Sequence, residues 1–348
     1  MGRVLVLIVA PLLGGCGSQP VTHPASSASA RTPTPSAITS ATTTAIPLGR
    51  SGAGMAYDQT RHTVVLFGGI AGEALFSDTW TWNGSAWTQR QGLTAGPSAR
   101  QRVAMAYDEG HRQVILFGGI GAQGTFDDTW MWDGNAWQLL SPVHHPSKRE
   151  GAAFSYDPAL SAIVLYGGVD PSSARPSPIN DTWSWNGTDW SQLQPAPSPA
   201  GGARPRLAFL SGANLVERFG DCAESHDNAL YAFDGHSWGP HTATGSWPPA
   251  LCLPSLAGDT SRRQLVLFGG NPGTGGTPVP AETWIYDGSV WKKATPAQSP
   301  SPRDDAGMVY DSDHRLMVLF GGQGLVQGQA GPLNDTWTWD GSAWTQHQ

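Results

Sequence analysis

A chain of 348 residues with 27 acidic and 20 basic side chains carries a net charge of −7. That balance argues against a nucleic-acid partner, because a phosphate backbone is held by an excess of clustered Lys and Arg. Only 14% of residues are charged, while glycine (44) and proline (28) are abundant, the profile of a protein built from strands and turns. Three cysteines, Cys16, Cys222 and Cys252, leave room for a single disulfide in the body of the chain.

The N-terminus sets the expected address. Arg3 precedes an apolar run from Val4 to Leu13, about half the ~20 residues needed to span a bilayer, so it reads as a signal peptide. It ends in Leu13-Gly14-Gly15-Cys16, which resembles a bacterial lipobox. The resemblance implies cleavage after residue 15 and lipidation of Cys16, with the membrane as a partner through that anchor. The protein is then expected outside the cytoplasm, anchored to a bacterial cell membrane as a lipoprotein; an ordinary secretory signal with a stray cysteine is the alternative. Residues 16–46 are rich in Ser, Thr, Pro and Ala and cannot bury enough apolar surface to fold. As a flexible linker of 30 residues they would reach roughly 30 Å.

From residue 47 to 348 one motif recurs six times. Leu66-Phe67-Gly68-Gly69 leads to Asp78-Thr79-Trp80-Thr81-Trp82-Asn83-Gly84-Ser85-Ala86-Trp87. The double glycine returns at Gly118-Gly119, Gly167-Gly168, Gly269-Gly270 and Gly321-Gly322, and becomes Gly220-Asp221 in the fourth copy. The closing Trp returns at Trp137, Trp190, Trp238, Trp291 and Trp344. A period near 50 residues is the mark of a blade array. Within a copy, four strands are expected: one through Met55–Asp58, a doubly buried one over Thr63–Phe67, then Thr79–Trp82, and one opened by Trp87. Asn83-Gly84 suggests a two-residue hairpin turn, which would set Trp80 opposite Trp87. Fifteen of the sixteen Trp fall on third and fourth strands, and their strict repetition reads as core between blades rather than as a sugar-stacking stripe.

A double glycine closing the second strand, followed by an aromatic and a Trp six residues apart, resembles the kelch repeat over all six copies. The resemblance implies an all-β, six-bladed kelch-type β-propeller, similar to the central domain of galactose oxidase. Each blade would have four antiparallel strands, at approximately 47–92, 93–141, 142–195, 196–243, 244–296 and 297–348. The two chain ends lie in phase, so the ring should close by face packing without a shared strand, and the propeller is expected as a monomer.

Candidate site residues cluster on the rim that carries the second-to-third-strand loops and the inter-blade connections. Arg50, Arg100, Arg149 and Arg303 recur seven residues before the Tyr of their first strands. They read either as a partial ring of guanidinium groups for a carboxylate or phosphate, or as packing residues bonded to loop carbonyls. Blade four departs most from the repeat, in Asp221, Cys222, Glu224 and His226, and the connection after it holds Trp247 and Cys252. Cys222 and Cys252 come from adjacent blades in an oxidising compartment and suggest a disulfide; a free Cys222 joining His226 and Asp227 at a metal is the alternative. His62, His111 and His314 fall in turns of the opposite rim and read as solvated turn residues.

The leading functional reading is a non-catalytic binding module that holds a protein or glycan on the long-loop rim, with no cofactor and no metal. A metal-free sugar isomerase of kelch type, such as a mutarotase, is one alternative, with Arg100, Arg149, Glu224 and His226 as its rim residues. A structural envelope scaffold is another. Copper radical oxidation of the galactose oxidase kind is not expected, because all seven tyrosines sit at strand positions of the motif.

Overall fold

The computed structural model describes residues 45–173, 177–222, 228–272 and 281–347. The signal peptide, Cys16 and most of the linker fall outside these, as do Glu224, His226 and Asp227. Among the described residues there is no helix, and the strands form six antiparallel sheets of four, numbered here in chain order. Sheet one runs Gly54–Asp58, Thr63–Phe67, Thr79–Trp82 and Trp87–Gln89. The other five repeat that order. Sheet five gains a short parallel edge strand, Thr244–Gly245, beside Val290–Ala294. First strands touch their neighbours in a closed cycle, Gly54–Asp58 meeting both Ala104–Asp108 and Gly307–Asp311. No strand is shared between the termini: Gly54–Asp58 belongs to sheet one and Trp344–His347 to sheet six.

Second strands, except Leu215–Phe219 of sheet four, are apolar on both faces because both faces are covered. Val64 and Leu66 pack toward sheet six, while Val65 and Phe67 pack toward sheet two. All four are fully buried. Trp137 then caps Phe67 edge-on, with ring centres 5.4 Å apart, so aromatic burial supplies much of each seam.

The third-to-fourth-strand turn differs from the two-residue hairpin suggested by Asn83-Gly84. Trp82, not Trp80, pairs with Trp87, and Trp80 pairs with Gln89. Asn83 Oδ1 accepts the amides of both Ser85 and Ala86, and Asn83 N donates to Ala86 O. This side-chain turn stabilises a four-residue loop and shifts the register by two. Gly84 is needed for two reasons: its φ is +93°, and a β-carbon there would lie 2.7 Å from the His314 ring of sheet six.

The shifted register aims each fourth-strand Trp at the preceding sheet. Trp87 Nε1 donates to Thr336 Oγ1, Trp137 to Thr79, Trp190 to Thr129, Trp238 to Thr182 and Trp344 to Thr283, at 2.8–3.0 Å. Thr129→Val keeps the shape but leaves the buried indole N–H of Trp190 unpaired. A loss of about 1–2 kcal/mol is expected in urea unfolding, against almost none for Thr81→Val, since Thr81 is partly exposed and bonds only a Thr88 carbonyl at 3.5 Å.

On the opposite rim, His62 is exposed beside Asp313, whereas His111 and His314 each hold the buried carboxylate of their own turn, Asp108 or Asp311. They lie around the rim and do not converge.

Candidate functional site

The start of each first strand faces the end of its second strand, Gly54 opposite Phe67 in sheet one. Inter-sheet connections and second-to-third-strand loops therefore share one rim. Short hairpins rise from it: Ile70–Ala71 with Ala74–Leu75, Ile120–Gly121 with Gly124–Thr125, and Gln323–Val326 with Gln329–Pro332.

The four recurrent arginines lie under this rim, and they do not form an open ligand ring. Their side chains are at most 2% exposed. Each forks onto the carboxylate that opens its own third strand: Arg50 on Asp78, Arg100 on Asp128, Arg149 on Asp181 and Arg303 on Asp335. The paired distances are 2.5–2.6 and 2.8–3.0 Å. Each Nη1 also donates to the first glycine carbonyl of the double glycine, and each Nε to the carbonyl two residues back. Burial alone would raise the Asp335 carboxyl; the Arg303 fork overrides this and holds it below the usual carboxylate range. With their donors committed and their heads buried, these guanidinium groups fasten loops instead of presenting themselves to a ligand.

Sheet four lacks both clamp residues, having Gly202 and Ala229 at those positions. Arg218, from the second strand, fills the vacated space. A β-carbon on Gly202 would lie 3.4 Å from Arg218 Nη2, and the guanidinium approaches the Tyr166 and Tyr231 rings at 5.8 and 5.3 Å. Asp221 follows it: Oδ2 is 3.2 Å from Arg218 Nη2, and Oδ1 accepts Ala203 N. Asp221 is therefore a buried structural partner and not a rim ligand. Trp247 is half-buried, donates to Ala243 O and packs on the core shared by sheets four and five. Cys222 and Cys252 form a disulfide, which removes the thiolate that the metal alternative required.

The group that does converge on the rim's centre was not among the residues singled out from sequence. Gly52, Arg102, Gly151, Arg204, Leu253 and Asp305 occupy one equivalent position, just before each first strand, and all have φ between +52° and +63°. Amides pass bonds around the axis, Gly52 N to Asp305 O, Arg102 N to Gly52 O, Gly151 N to Arg102 O and Asp305 N to Leu253 O, at 2.6–3.0 Å. Above this belt the charges alternate. Arg102 Nε lies 3.3 Å from Asp305 Oδ2 and 3.8 Å from Glu150, and Arg204 forks onto Glu150. Arg206 reaches Asp305 Oδ1 at 3.3 Å and bonds Pro254 O. Glycine at 52 and 151 matters because the Arg102 and Arg204 stems lie within 3.2 and 2.5 Å of where a β-carbon would sit.

Below the belt opens a central cavity of about 670 Å³, within the usual size of a ligand pocket. Next to the belt its wall is small, with Gly54, Ala104, Ala153, Ser255 and Gly307 at one strand position, where sheet four places Arg206. Farther down it is lined by Tyr57, Tyr107, Tyr156 and Tyr310 and reaches the turns of the opposite rim. Arg102, Arg204 and Arg206 are about a quarter exposed, so this ring, unlike the clamps, meets solvent. Beside it, desolvation and the neighbouring Asp305 push the Asp304 carboxyl up to about 6, despite Asn271, Arg102 and Arg206 pulling it down. A raised folded-state value means that this group's contribution to stability is complete below its unfolded value of 3.8 and is lost as pH climbs through about 6. Asp304→Asn is accordingly expected to gain stability on the parent chain between pH 4 and 7, by about 1–3 kcal/mol at neutrality, read from paired urea titrations; a constant difference across that window would contradict it.

These repeated features of fold and motif coincide with an independent sequence match. The profile of the KLHDC2/KLHL20/DRC7 Kelch-repeats domain matches residues 10–210. The chain belongs to this kelch-repeat family. No curated protein matches it. The double-glycine and closing-Trp pattern of the kelch repeat continues beyond the matched region through sheets five and six. Its all-β, four-stranded antiparallel sheets are those of a kelch β-propeller, a module suited to holding protein partners.

Proposed function

We propose that this chain is a six-bladed kelch propeller that binds a protein or glycan partner through its long-loop rim. A lipidated Cys16 tethers it outside the cytoplasm, with residues 17–46 as the spacer. The observation that carries the binding reading is the ring in which Arg102, Arg204 and Arg206, each partly exposed, are held by the buried carboxylates of Glu150 and Asp305 around a central cavity. Polar anchors in a concavity, surrounded by protruding loops, suit recognition of a projecting group on a partner. Crosslinking on intact cells, followed by affinity capture, tests it. An Arg102→Ala, Glu150→Gln, Arg204→Ala chain, which leaves no buried carboxylate without its counter-charge, should lose the captured partner while its circular-dichroism spectrum stays that of the parent, and retention of the partner would reject the rim centre as the site. For the tether, Cys16→Ser should release the chain from the membrane fraction and abolish labelling by a fatty-acid analogue.

One observation favours a second reading. Desolvation and Asp305 push the Asp304 carboxyl up to about 6 next to the charges of Arg102 and Arg206, a range suited to proton transfer in a sugar isomerase without a metal. Faster anomer exchange of an added acidic or neutral sugar, lost in Asp304→Asn, would support that reading over passive binding.

A further inference from the structure

The seam between sheets four and five is built differently from the other five. Elsewhere the fourth-strand Trp donates to a threonine of the preceding sheet. At this seam the threonine is replaced by Leu230, and the buried Trp291 Nε1 has no partner among the described residues. The second strand of sheet four is also exceptional, carrying Glu217 where sheets one, two, three, five and six carry Val65, Ile115, Val164, Val266 and Val318. Glu217 is fully buried and faces sheet five. Its Oε1 lies 2.6 Å from His241 Nδ1, but its Oε2 has no partner among the described residues. Across the seam the Tyr286 hydroxyl is buried and likewise without a partner among the described residues, with the His241 ring edge-on at 5.7 Å. A buried polar atom left unpaired weakens the packing around it. Among the described residues this seam holds three, against two, the Tyr57 hydroxyl and Trp82 Nε1, at the seam of sheets six and one, so it is the ring's weakest joint.

Over this joint runs residues 241–254, a strap fixed at several points. His241 N donates to Leu230 O and Thr244 N to Ser289 O, both at 2.8 Å. Asn228 Nδ2 holds Pro248 O from sheet four at 2.8 Å. Trp247 and the buried Leu251 pack into the shared core. The far end is pinned covalently, Cys252 to Cys222 of sheet four, while Cys252 also exchanges both backbone bonds with Asn271 of sheet five.

We propose that the ring opens first between sheets four and five, and that the disulfide-anchored strap is the latch that keeps this joint shut. A propeller closed by face packing must open at some seam, and a covalent tie acts only if it spans the seam that opens. Among the described residues, the disulfide lies over the seam that lacks the Thr–Trp bond and holds a buried carboxylate, and this juxtaposition argues for the latch.

Native-state hydrogen exchange on the full chain tests this, following the second strand of every sheet. In a Cys222→Ser, Cys252→Ser chain, protection of Leu215–Phe219, Leu230–Phe233 and Gln264–Phe268 should fall at least about tenfold, while Gln113–Phe117 in sheet two changes little. Adding Glu217→Val and Leu230→Thr, which give the seam the residues of its counterparts, should restore most of that protection without the disulfide. Loss spread evenly over all six sheets, no loss, or failure of the restoring pair would each overturn the latch. If the cysteine-free chain does not fold, the unmodified chain decides: equal protection of all six second strands there rejects a weak seam, and lower protection at Leu215–Phe219 and Gln264–Phe268 supports it.

Discussion

Arg149→Ala should lower the unfolding free energy by about 3–5 kcal/mol, the cost of removing one partner from a buried, hydrogen-bonded ion pair. The residue fastens in two directions. Its side chain holds Asp181 through two bonds and Gly167 O through a third, all within sheet three. Its backbone belongs to sheet two as well, taking the amide of Gly119 and giving its own amide to Phe126 O. Truncation leaves Asp181, about one-fifth exposed, without its counter-charge, and leaves the Gly167 carbonyl without the guanidinium. Arg149→Lys should recover only part of the loss, because an ammonium cannot fork onto both oxygens and reach the carbonyl as well. Chemical denaturation of the three chains measures the order. Equal stability of Arg149→Ala and the parent would return this arginine to the list of ligand residues, since a group kept for binding can be removed without unfolding cost.

The contrast between the two arginine rings shows what could be read from sequence and what could not. The repeats, the doubly buried second strands and the Cys222–Cys252 pair were legible, because each leaves a local or spaced mark in residue type. The clamp partners were not: Asp78 lies 28 residues beyond Arg50, Asp181 32 beyond Arg149, and loops of unequal length hide that constancy. Hairpin register was misread because Asn-Gly is compatible with loops of two and of four residues. What decides here is Asn83 Oδ1 bonding two successive amides, together with the ring of His314 arriving from a sheet 230 residues later. Hardest of all is the mouth. Its six equivalent positions read Gly, Arg, Gly, Arg, Leu and Asp, so no one side chain is common to them; the left-handed backbone is, and a backbone conformation leaves little trace in side-chain identity once non-glycine residues adopt it. The one mark the mouth leaves in sequence is Arg206 where other copies have Gly, Ala or Ser, and that departure was not singled out.

The double glycine that names the repeat has a mechanical meaning, and Gly118→Ala should expose it with a loss of about 3 kcal/mol. Its φ is +66°, a conformation that costs an L-residue roughly 1–2 kcal/mol. In addition, a β-carbon would stand 2.6 Å from Arg149 O and 3.2 Å from Phe126 O, both backbone atoms that cannot swing aside. Gly119, at φ +93°, donates its amide to that same Arg149 carbonyl. The pair thus curls the end of one sheet around the entry to the next, and Gly321-Gly322 does the same around Arg50, joining sheet six back to sheet one. Gly72→Ala supplies the comparison: its φ is +59°, but the space around it is open, so only the conformational cost of about 1–2 kcal/mol should appear. The difference between the two variants isolates the contact between sheets. If Gly118→Ala and Gly72→Ala lost the same stability, the double glycine would be a turn device alone, and the neighbouring sheet's arginine carbonyl would have no part in closing the ring.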